Sequence, residues 1–70
     1  MKPKTLDELM KEGFERCKTD IMDGKYRALK IVKYEDHFEV IRYTQQRARG
    51  LYHYDGVVEF GNDGVMRMWR

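Results

Sequence analysis

The sequence predicts an α+β domain: an N-terminal amphipathic helix followed by a four- to five-stranded antiparallel meander, with curling into a small barrel as one way to close the sheet. Three observations predict it. One stretch near the start carries apolar residues at helical spacing, the remainder is rich in β-branched and aromatic residues, and three Asp-Gly pairs punctuate it at 23–24, 55–56 and 63–64. Asp-Gly readily takes the positive φ of tight turns and bulges. Seventy residues suit a single domain over 1–70 and leave no room for a cleft between lobes.

The helix begins at a capping-box spacing, Thr5 followed three residues later by Glu8, with Pro3 just before it. Leu6, Leu9, Met10, Phe14 and Cys17 then recur on one face, and Asp7, Glu8, Lys11, Glu12, Glu15, Arg16 and Lys18 lie outside that stripe. The expected span is Leu6 to Lys18. Gly13 falls inside it and costs about 1 kcal/mol relative to Ala in a helix interior.

Strands are expected at Tyr26–Tyr34, Phe38–Thr44, Leu51–Tyr54, Val57–Phe60 and Val65–Trp69. Glu35-Asp36 makes a tight link, Gln45 to Gly50 a longer one, and Gly61-Asn62-Asp63-Gly64 a hairpin loop. Asp55-Gly56 suits either a turn or a bulge inside one long strand.

Face patterning leads toward function. In Tyr26–Tyr34 the even positions offer Tyr26, Ala28, Val32 and Tyr34, while the odd positions offer Leu29 and Ile31 between Arg27 and Lys33. Both faces are therefore apolar, and one helix covers only one. The second face must close into a barrel, pack on another copy, or meet a partner. At the end of the chain Met66 and Met68 alternate with Val65 and Trp69 in the same two-sided way.

Leu, Ile, Val and Phe supply 15 of 70 residues, a lean core supplemented by five Tyr, five Met and one Trp. A chain this short buries only about 60% of its unfolded surface, so stability is marginal and self-association helps. The single Cys17 cannot make an intramolecular disulfide, which favours a reducing, cytoplasmic location. Met1-Lys2-Pro3-Lys4 and the charged stretch after it do not resemble a cleaved signal peptide, and no run has the roughly 18 apolar residues of a membrane span.

The most distinctive segment is Arg42 to Tyr54, with three Arg and no acidic residue from Val40 through Tyr54. All seven Lys lie at or before Lys33, whereas five of seven Arg lie at or after Arg42. Arg offers a planar fork for carboxylate or phosphate and stacks on aromatic rings. Arg alternating with Tyr also suits a single-stranded nucleic-acid platform, although a net charge of +2 is far from a dedicated basic stripe. Trp69, one residue from the end, belongs with the Trp, Tyr and Arg that dominate binding hot spots.

Catalytic chemistry finds little footing. His37, His53 and Cys17 have no metal-ligand spacing, the chain contains no Ser for a nucleophile, and no phosphate-cradle motif is present. Glu35-Asp36 and the group Asp55, Glu59 and Asp63 are explained by turns and solvated edges. The expectation is a non-enzymatic binding protein of the inhibitor or adaptor type, without cofactor or metal. It would occupy a surface of a larger protein through Arg42, Arg47, Arg49, Tyr52, Tyr54 and Trp69, with a homodimer as its working form. The alternative is a nucleic-acid or nucleotide module using the Arg/Tyr segment 42–54.

Overall fold

Among the residues that the computed structural model describes, 2–17, 26–45 and 50–70, one short helix and five strands follow one another. They are α1 (Leu6–Lys11), β1 (Glu15–Cys17), β2 (Tyr26–Lys33), β3 (His37–Gln45), β4 (His53–Gly61) and β5 (Met66–Trp69). The strands form one antiparallel sheet in the order β1-β2-β3-β4-β5, a meander as predicted. The sheet is open, with β1 and β5 at its two edges, so barrel closure is not how the second face is dealt with.

The capping box forms as the sequence implies: the Glu8 amide donates to Thr5 Oγ1 (3.2 Å), and the Thr5 amide donates to Glu8 Oε1 (3.1 Å). The helix, however, stops at Lys11 instead of running to Lys18. Gly13 sits at φ +100°, the Gly13 amide donates to the Met10 carbonyl (3.1 Å) and the Phe14 amide to the Leu9 carbonyl (2.9 Å). That pair of bonds is a Schellman C-cap, which needs a left-handed residue after the helix and brings the residue beyond it back onto the last turn. Phe14 therefore reaches the core beside Leu9, as helical spacing would also have placed it, and the chain leaves as β1. The Gly13 that looked like a weakness inside a long helix is the end of a short one.

The core is built where α1 lies on one end of the sheet. Leu9, Phe14, Ala28, Tyr43 and Tyr52 are buried together, with Leu6, Tyr26 and Ile41 packed around them. Phe14 meets Tyr43 edge-on at 5.2 Å. Lys4 and Tyr52 exchange backbone hydrogen bonds of 2.9 and 2.7 Å, fastening the segment before α1 to the start of β4.

Segments 51–54 and 57–60, expected as two strands, belong to one, β4, which starts at His53 and leaves Leu51 and Tyr52 ahead of it. The register between β3 and β4 shifts between Ile41↔Val57 and Tyr43↔Tyr54, so Asp55-Gly56 is a bulge, with Gly56 at φ +99°. A second shift separates Phe60↔Met66 from Glu59↔Met68. Met66 and Met68 consequently do not share a face, contrary to simple alternation. The Asp63-Gly64 pair does form a turn, where Asp63 Oδ1 accepts from the Val65 amide (3.0 Å) and Gly64 takes φ +82°. Asp23-Gly24 lies outside the described residues.

Candidate functional site

Register sorts the side chains onto two faces. Ala28, Ile41, Tyr43 and Tyr54 share the face that meets α1, because directly opposed residues in a ladder project together. Leu29, Ile31, Phe38, Val40, Val58, Phe60, Met66 and Trp69 share the other. No described element covers that second face. Ile31, Met66 and Trp69 are 60%, 56% and 57% exposed, while Val58, held between Val40 and Trp69, is buried by its own neighbours. Phe38 and Phe60 stack on it at 5.2 Å. Beside Ile31, Leu29 and Val40 the face dips into a groove of about 490 Å³ that Glu15, Cys17 and Gly13 complete.

At one end of this face Arg42 is held from several directions. Its guanidinium lies over the Trp69 ring, 4.2 Å from its centroid, and donates to Asp55 Oδ2 (3.0 Å), which Thr44 Oγ1 also reaches (3.0 Å). The bulge sets this up, since Asp55 occupies the extra position opposite Arg42. Arg42 Nε is buried without a hydrogen-bond partner. The result is a Trp-Arg-Asp stack in which Arg42 is engaged on both sides.

The predicted site residues thus separate. Arg42 and Trp69 come together on the uncovered face. Tyr54 is on the opposite face, edge-on to Tyr43 at 5.7 Å. Tyr52 is 1% exposed and belongs to the core, where burial pushes its phenol pKa up, so it offers no surface to a partner. Alternation was broken by the bulge, and nothing in the residue types marks Tyr52 as a core tyrosine. Arg47 and Arg49 lie outside the described residues.

A second constellation, missed by sequence reasoning, occupies the far end of the helix-side face. His37 and Glu39 stand two apart on β3, and Glu59 pairs with Glu39 across to β4. The histidine and the two carboxylates each present a ligand atom, and these atoms lie within 4.8 Å of one another. Arg70 bonds Glu39 and approaches Glu59 at 4.0 Å. His37 Nδ1 is 2.6 Å from Asp36 Oδ1, a bond that holds the Asp36 carboxyl below its usual pKa, and the ring stacks on Tyr34 at 4.6 Å and 11°. A hydrogen bond to Glu39 raises the Tyr34 phenol in turn. The spacing His37-Phe38-Glu39 was the available signal, because a strand puts i and i+2 on one face. Glu59 could be added only once the register was known. His53 is elsewhere, exposed and opposite Thr44.

Among the described residues no helix is long and apolar enough to cross a membrane. Comparison with protein families, with characterised proteins and with solved structures finds no match to this chain. What it does is therefore argued from its own residues.

Proposed function

We propose that the chain is a small non-enzymatic binding protein of the inhibitor or adaptor type, which occupies the surface of a larger protein in the cytoplasm with the uncovered face of its sheet. The observation that carries this reading is the one-sidedness of the fold: a single helix serves one face, and the other keeps Ile31, Met66 and Trp69 more than half exposed around a fixed Arg42. Contiguous apolar surface framed by polar groups is characteristic of interaction sites. Trp and Arg are the side chains whose truncation most often costs binding, and an Arg already oriented by Asp55 and Trp69 loses little freedom on docking. Arg42 has its charge engaged by Asp55, and Tyr52 and Tyr54 point away from this face, which favours a protein partner over nucleic acid.

The test is affinity capture with nuclease-treated lysate, using the wild type, the double variant Ile31→Asp/Trp69→Ala, and Met10→Asp on the exposed side of α1 as a control. A discrete protein retained by the wild type and by Met10→Asp but lost from the double variant supports the reading. Release of everything bound by nuclease, or capture indifferent to the double variant, overturns it. Light scattering on the same samples shows whether a second copy occupies the face: a dimer that the double variant converts to monomer identifies one.

A further inference from the structure

The cluster around His37 is unlike an ordinary solvated edge. Glu39 and Glu59 are directly opposed across the ladder, an arrangement in which like charges repel, and their side chains are only 15% and 20% exposed. Two carboxylates so placed require a cation. Arg70 supplies one here, yet its own side chain is 54% exposed and reaches in from beyond the end of β5. The third member is the His37 imidazole, whose neutral form is a metal ligand.

That imidazole is also oriented. A carboxylate can only accept, so the Nδ1 bond to Asp36 puts the ring proton on Nδ1 and leaves the lone pair of the neutral ring on Nε2. Stacking on Tyr34 fixes the ring plane. A carboxylate holding the far nitrogen is how ligating histidines are positioned and made more basic.

We propose that His37, Glu39 and Glu59 bind one divalent transition-metal ion of the zinc class, with Asp36 as the positioning residue behind His37 and Arg70 as the internal cation the metal displaces. One imidazole with two carboxylates suits Zn²⁺ and its first-row neighbours, whereas Mg²⁺ and Ca²⁺ favour all-oxygen sets. Ligand atoms about 2.0–2.2 Å from a tetrahedral zinc sit roughly 3.4 Å apart. Binding therefore draws together three side chains whose ligand atoms now span up to 4.8 Å, and water takes the fourth position. Metal and guanidinium compete for the same two carboxylates, so occupancy frees the Arg70 side chain. The cluster lies on the opposite side of the sheet from the uncovered face, so neither proposal rests on the other.

The test is calorimetric titration of the full, tag-free chain with Zn²⁺ and with Mg²⁺, and optical titration with Co²⁺. One Zn²⁺ per chain, much weaker Mg²⁺ binding, and the visible bands of four-coordinate Co²⁺ are expected. His37→Ala should lose Zn²⁺ binding, and His53→Ala should keep it. Asp36→Asn, at an exposed turn position, should weaken binding by about 10–100-fold while the urea midpoint shows that the fold is retained. Arg70→Ala should tighten it severalfold, the size expected of a half-exposed ion pair. Absence of Zn²⁺ binding in both the wild type and Arg70→Ala, affinity unchanged in His37→Ala and Asp36→Asn, or loss in His53→Ala would each overturn the proposal.

Discussion

The two faces of this sheet are made of similar residue types and live by different rules. On the helix side Leu9, Phe14, Ala28, Tyr43 and Tyr52 are sealed from water, and on the other side Ile31, Met66 and Trp69 stay more than half exposed. Composition does not distinguish them; what differs is that, among the described residues, an element lies on one face and none on the other. Among the described residues one six-residue helix closes one layer. The remaining apolar face is either a cost carried for nothing or the part that meets other molecules, and the fixed Arg42-Trp69 stack favours the second.

The sharpest way to test that difference is to truncate one residue on each face. Leu9→Ala removes a fully buried side chain and should destabilise the domain by about 2–5 kcal/mol, a large fraction of what so small a fold has. Ile31→Thr keeps β-branching at a position 60% exposed and should stay within about 0.5 kcal/mol. Urea unfolding at equal protein concentration measures both. If Ile31→Thr costs as much as Leu9→Ala, and the cost shrinks on dilution, the second face is covered by another copy and the contrast between faces collapses.

Next in size is the bulge that carries Asp55 to Arg42. Gly56 sits at φ +99°, and a Cβ there would lie 2.5 Å from the Arg70 carbonyl oxygen, whose backbone pairs with Val57 through two bonds of 2.7 Å. Gly56→Ala should cost about 1–3 kcal/mol through backbone strain, with the clash against Arg70 added. It should also loosen Arg42 from Trp69, read as a red shift of Trp69 fluorescence. Loss of stability without any change at Trp69 would show that the stack does not depend on the bulge.

How much of this was legible beforehand depends on the length scale of the signal. The capping box and the Asp63-Gly64 turn are set by residues three or fewer apart, and both appear where the sequence puts them. The two apolar faces of β2 follow from alternation and also hold. Failures begin where a local signal has two readings: Gly13 is a tolerable interior residue or a C-cap, and Asp55-Gly56 is a turn or a bulge. Tertiary pairing decides between them, by drawing residues 15–17 into the sheet beside β2 and by continuing β4 through the bulge. Each such decision moves side chains downstream to other faces. That is why Tyr52, Tyr54 and Trp69, all plausible contact residues by type, end in the core, on the helix side and on the open side. Glu59 joins His37 and Glu39 through a register that no spacing in the chain encodes.

The smallest effects belong to the helix that closes the covered face, and they carry a definite pH dependence. Thr5→Ala removes the N-cap oxygen and should cost about 1 kcal/mol. Glu8 completes the box, and the amide and hydroxyl of Thr5, both bonded to its carboxylate, hold its pKa below the usual value. A group whose folded pKa is depressed stabilises the fold fully above its unfolded pKa of about 4.3, and that contribution disappears as pH falls through the folded value. Glu8→Gln keeps the hydrogen-bonding shape of the box without titrating. The wild type should therefore exceed Glu8→Gln in urea midpoint at pH 7, and the gap should shrink steadily below pH 4.5. Asp36 is depressed in the same sense by His37, so both proteins lose stability in acid, and only the difference between them isolates the cap. A gap independent of pH would mean that Glu8 acts by shape alone. A helix held mainly by its packing on the sheet would then depend on Leu9 and hardly at all on its first turn.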